Sequence, residues 1–166
     1  MTEATTQPAE EERSRIAAAI YGTILVLAVL SYLSEDEDLS RGEVAAAVVG
    51  TGFAYFAAHV YVDYLAARMT GVREPTLVLT WRVLATEWPL LQAMVAPGVP
   101  LVLGAIGLWS RDTAVDVALV VAFADLVGWG YRAGRRSYGN VPGALGSALV
   151  AVVLGLIVVG LKNLLH

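Results

Sequence analysis

Cysteine is absent from this chain of 166 residues. That excludes disulfides, thiolate metal sites and cysteine nucleophiles. Lysine is nearly absent too: Lys162 stands alone against ten arginines. No basic patch is interleaved with aromatics, so nucleic-acid binding has no support. Enzymatic motifs are also missing. The chain has no Ser/His/Asp order with an elbow glycine, no HExxH, no P-loop and no paired-aspartate phosphotransferase signature. The expectation is a protein that is not an enzyme and holds no permanent cofactor.

What the chain has in excess is apolar residues, 57% against about 45–50% for a soluble domain. The surplus falls in runs of the length a bilayer requires. The expected fold is an all-α membrane protein, one domain of five transmembrane helices over 15–166, behind a disordered polar leader at 1–14. The spans read as 16–33, 44–65, 89–109, 113–131 and 141–161. The first follows a Glu-rich, mixed-charge leader and lacks a small-x-small cleavage pattern, so it reads as a retained span. An acidic loop containing Glu35, Asp36, Glu37 and Asp38 separates the first two spans.

Arginines orient the chain through the positive-inside rule. Arg13 and Arg15, then Arg68, Arg73 and Arg82, then Arg132, Arg135 and Arg136 fall on one side. Arg41, Arg111 and Lys162 fall on the other. Eight against three alternates correctly only with five spans, which puts the N-terminus in the cytoplasm and the C-terminus outside. The arginine bias, with abundant Ala, Val and Gly, points to a GC-rich bacterial genome and hence to a multi-pass protein of the bacterial inner membrane.

The connector at 66–88 carries its own pattern. Glu74-Pro75 resembles a helix start, and Leu77, Trp81, Leu84 and Trp88 recur at helical spacing. The expectation is an amphipathic interfacial helix between spans 2 and 3, or a helix that feeds span 3 directly. Within span 3, Pro97 and Pro100 each remove a backbone donor, which predicts a break or kink there. Gly143, Ser147, Ala151 and Gly155 in span 5, and Ala114, Ala118 and Ala122 in span 4, form small-residue ladders. Such ladders serve close helix packing, within one subunit or between two.

Ionisable groups inside the spans are the main functional clue, because each is costly in hydrocarbon. His59 and Asp63 lie one turn apart on one helix face, and Tyr55 shares it one turn earlier. At 1.5 Å per residue His59 lies roughly 7 Å to the cytoplasmic side of the middle of its span. Glu87 sits at the mouth of span 3, with Gln92 following, and Asp125 lies just past the middle of span 4. Arg132 is two turns beyond Asp125 and in position to pair with it through water. Asp116 is near the other edge, within reach of Arg111. His59, Asp63, Glu87 and Asp125 together offer nitrogen and oxygen ligands suited to Fe(II), Mn(II) or Zn(II). The same set would serve as a proton relay. The competing reading makes Asp125–Arg132 a plain ion pair, leaves Asp63 and Glu87 at the interface, and has His59 bonded to a carbonyl.

The layout resembles the vacuolar iron transporter family. In that family span 2 ends Met-Gly-x-Gly-Glu-Tyr, followed by small and basic residues. Here the stretch reads His59-Val60-Tyr61-Val62-Asp63-Tyr64-Leu65-Ala66-Ala67-Arg68, with His59 in place of the Met and Asp63 in place of the Glu. Gly130-Tyr131-Arg132-Ala133-Gly134-Arg135 and the Gly-rich start of span 5 are also similar. Span 1 departs from the pattern: Tyr21, in Ala19-Ile20-Tyr21-Gly22-Thr23, stands where the family keeps an aspartate on the ion path. The resemblance implies a homodimer with an ion path between subunits or along spans 1 and 2. The functional expectation is a small transporter of a divalent cation, iron or manganese, with or without proton coupling. Its alternatives are a non-transporting membrane scaffold or regulator, and a small-ion or proton channel.

Overall fold

A computed structural model describes residues 7–34, 36 and 38–164. Five helices fill it: α1 (Gln7–Leu33), α2 (Arg41–Met69), α3 (Thr76–Ala105), α4 (Arg111–Tyr138) and α5 (Val141–Leu164). Each is long and apolar enough to cross a membrane. Short connections make neighbours antiparallel. α1 and α3 sit centrally, α2 flanks α3 on one side, and α4 with α5 forms the other.

The helix ends follow from local chemistry. Ser40 caps α2: its Oγ accepts from the Glu43 amide at 3.3 Å, while its own amide donates to Glu43 Oε2 at 2.8 Å. Ser110 Oγ accepts from the Thr113 amide at 3.1 Å and starts α4. α4 ends at Gly139, whose φ of 68° is the left-handed conformation that glycine adopts without strain. Asn140 Oδ1 then accepts from the Gly143 amide at 2.7 Å and opens α5.

Two arginines lock the turns. Arg68 donates to Tyr64 Oη at 3.2 Å, to the Glu74 carbonyl at 2.9 Å and to Thr76 Oγ1 at 3.0 Å, which shapes the α2–α3 turn. Arg111 donates to the Leu33 carbonyl at 2.8 Å and to the Asp36 carbonyl, tying the start of α4 to the end of α1. Asp116 is exposed, and Arg111 pairs with Asp112 at 3.4 Å instead. The backbone carbonyls at the chain reversal win because the side chain of residue 116 lies more than a turn away along α4.

Three expectations change. Residues 7–14, expected as disordered leader, are the opening turns of α1, with Glu12 ion-paired to Arg136 of α4. Residues 1–6 of that leader lie outside the described residues. The amphipathic segment is not a separate interfacial helix: it continues without interruption into span 3 as α3. Its Leu/Trp stripe faces outward: Leu77, Trp81 and Trp88 are exposed, while Leu79, Val83, Glu87 and Leu90 are buried. Finally, α3 is helical throughout, with Pro89, Pro97 and Pro100 inside it and buried. Those three positions share one helix face.

The small-residue ladders pack within the chain. A Cβ placed on Gly130 would lie 2.6 Å from Ala151 Cβ, and one on Gly134 would lie 2.6 Å from Ser147 Oγ. Gly155 packs on Phe123, and Gly143 on Tyr138. Overpacking such a seam costs about 1–3 kcal/mol. Gly134→Val is therefore expected to lower the melting temperature in detergent, whereas Gly146→Val, with open space around it, leaves it unchanged.

Candidate functional site

The polar site lies between α2 and α3. α2 buries only a narrow stripe, Val44, Val48, Gly52 and Phe56. His59 and Asp63 continue its direction toward the turn, where the stripe gives way to half-buried positions. α3 supplies Glu87 from its buried face, between Val83 and Leu90. The Gly52 Cα faces Met94 with no room for a Cβ, so the two helices run close beside this site.

His59 Nδ1 lies 3.4 Å from Glu87 Oε2. The Glu87 side chain is 5% exposed and that of His59 36% exposed. The contact is an ion-pair approach rather than a well-formed hydrogen bond, and Glu87 Oε2 is a buried oxygen with no hydrogen-bond partner. Asp63, one turn further along α2, adds a second carboxyl that acts electrostatically on Glu87. The Tyr55 ring lies 4.6 Å from the His59 ring, centroid to centroid, tilted by 52°. It sets the imidazole against α2 and covers one side of it.

Two neighbouring carboxylates in a low-dielectric interior demand positive charge. A shared proton or a bound cation supplies it. The arrangement can therefore hold and pass protons, with His59 and Asp63 on its open side and Glu87 at its closed end.

Asp125 does not join this group. α4 packs on α1, α3 and α5 rather than against α2. No charged group acts on the half-buried Asp125, and no ion pair links it to Arg132. The Arg132 guanidinium instead lies 5.4 Å over the Trp129 ring. One helical turn separates Trp129 from Arg132, whereas Asp125 is two turns away, beyond the comfortable reach of one side chain. Gln92 and Arg132 line a separate cavity on the opposite flank of α3. Pro97 and Pro100 are packing residues of α3. Tyr21 is 58% exposed on the outer face of α1, away from the site. Among the described residues, no three His, Asp or Glu side chains are placed to hold a metal ion.

Residues that the sequence reading did not single out as functional, Tyr64 and Arg68, fix the end of α2 just beyond Asp63. The Arg68–Tyr64 spacing of one turn was visible in sequence; the carbonyls that Arg68 gathers were not, because they depend on the path of the turn.

No family model, no curated protein and no solved structure matches this chain.

A double-mutant cycle on His59→Ala and Glu87→Gln, read as stability in detergent, is expected to show coupling of about 0.5–3 kcal/mol. The same cycle on Asp125→Asn and Glu87→Gln should be additive within about 0.5 kcal/mol.

Proposed function

We propose that this protein is a small multi-pass membrane transporter in which His59, Asp63 and Glu87 form a protonatable cation-binding half-site. The observation that carries the reading is the buried Glu87 carboxyl, with one oxygen unbonded, facing His59 at 3.4 Å with Asp63 alongside. Such groups are expensive inside a membrane and mark ion pathways and proton relays. The likeness of residues 59–68 to the span 2 motif of vacuolar iron transporters extends the reading to a divalent cargo, Fe(II) or Mn(II). Nothing in the group is arranged for metal chelation by three protein ligands, so proton binding is the primary role and the metal is the cargo coupled to it.

The distribution of arginines puts the N-terminus in the cytoplasm and the site in the cytoplasmic half of the bundle. His59 is partly open on α2, beside the exposed Val62 one turn on. A second copy seated on that face would close the site, which agrees with the homodimer that the family likeness implies.

A scaffold without transport is the second reading. It is favoured by α1, whose buried face offers Ala19, Thr23, Val26, Leu27 and Leu30 but no carboxylate. The two readings separate in proteoliposomes loaded with a pH-sensitive dye and a metal-sensitive dye. Transport predicts Mn(II) or Fe(II) uptake with a linked proton signal. His59→Ala, Asp63→Ala and Glu87→Gln should each cut uptake about tenfold or more, the equivalent of about 1.4 kcal/mol. Flux through the wild type that none of the three alters would sink the half-site. Absence of any flux favours the scaffold.

A further inference from the structure

A second polar site lies on the far flank of α3, between the start of α1 and the end of α4. It is a cavity of about 490 Å³, within the range of roughly 300–1,000 Å³ that seats small ligands. Arg15 comes from α1, Trp88 and Gln92 from α3, and Trp129 and Arg132 from α4. None of these residues belongs to the His59–Asp63–Glu87 group.

The charge balance of this cavity is positive. Glu12 is its one carboxylate, and Arg136 neutralises it: Arg136 Nε donates to Glu12 Oε1 at 2.7 Å, and Nη2 lies 2.5 Å from Oε2. Among the described residues, Arg15 and Arg132 make no ion pair. Two guanidinium groups therefore face one cavity with no counter-charge among the described residues. Arg132 is held over Trp129 by a cation–π contact, which fixes its donors in place. Gln92 adds an amide.

We propose that this cavity seats the phosphate of an acidic phospholipid headgroup. Guanidinium forks match phosphate oxygens in pairs. Indoles on either side suit the headgroup level of a bilayer, where tryptophan is enriched. The cavity also opens at the end of the bundle that carries Arg13, Arg68, Arg73, Arg82 and Arg135, a surface that draws anionic lipid. A free phosphate shares the chemistry but would not need the flanking indoles. Bound there, the lipid would wedge between α1 and α4 and bear on the Glu12–Arg136 pair.

Full-length protein, released from vesicles of mixed phosphatidylglycerol and phosphatidylcholine, is examined by native mass spectrometry for retained lipid. Selective retention of phosphatidylglycerol is expected. Arg15→Gln and Arg132→Gln should each weaken it by about fivefold, while Arg132→Lys keeps most of it. Arg73→Gln, at the same end but outside the cavity, should have no effect. Arg15→Gln, at an exposed position, carries the test should Arg132→Gln fail to fold. Equal retention of both lipids overturns the proposal, as does a loss in Arg73→Gln equal to that in Arg132→Gln. Displacement of phosphatidylglycerol by millimolar inorganic phosphate overturns the lipid assignment in favour of a soluble anion. None of these outcomes depends on flux, so this site stands or falls apart from the half-site on α2.

Discussion

Close approach of helix backbones is the constraint on which this bundle depends. Between helices bathed in lipid, burying apolar surface brings little gain, and packing contacts must hold the assembly. Four of the helix interfaces accordingly place a glycine where a Cβ would collide. Gly22 meets the Leu90 carbonyl between α1 and α3, Gly52 meets Met94 between α2 and α3, Gly104 meets Ala114 between α3 and α4, and Gly130 meets Ala151 between α4 and α5. The result is a central α3 gripped on three sides, which also explains how a helix with three internal prolines stays intact.

The same grip buries Glu87. The α2–α3 seam, drawn tight at Gly52 and Met94, runs on toward His59 and Asp63 and presents them to that carboxyl. Arg68 then closes the seam by holding the turn between the two helices. Burying a carboxyl here opposes folding, and the neighbouring imidazole offsets only part of that cost. A group kept at such a cost, with an oxygen left unbonded, is poised to take a proton or a cation. The arginine-lined cavity across α3 has the opposite sign, so one central helix separates an acidic flank from a basic one.

Much of this was legible in the sequence, for physical reasons that differ by element. Span number followed from run length, since the bilayer sets it. That His59 and Asp63 share a face of α2 followed from one-turn spacing. The ladder in α5 was visible, but its partner was not: only the fold shows that Gly134 and Gly130 receive it. Asp125 was grouped with His59 by depth alone, yet depth says nothing of the angle around the bundle, and α4 stands on the other side of α3. The tie of Glu12 to Arg136 spans 124 residues and has no local signature.

The central claim is that His59 and Glu87 share one site inside the bundle. The chain has only two histidines, so its imidazole signals in lipid are readily assigned. Dipolar-recoupling solid-state NMR, with ring nitrogens and side-chain carboxyls labelled, measures the distance directly. The account predicts strong coupling between a His59 nitrogen and the Glu87 carboxyl carbon, lost in Glu87→Ala and unchanged in Asp125→Asn. A His59 ring with no carboxyl coupling, or one coupled to Asp125, would contradict it.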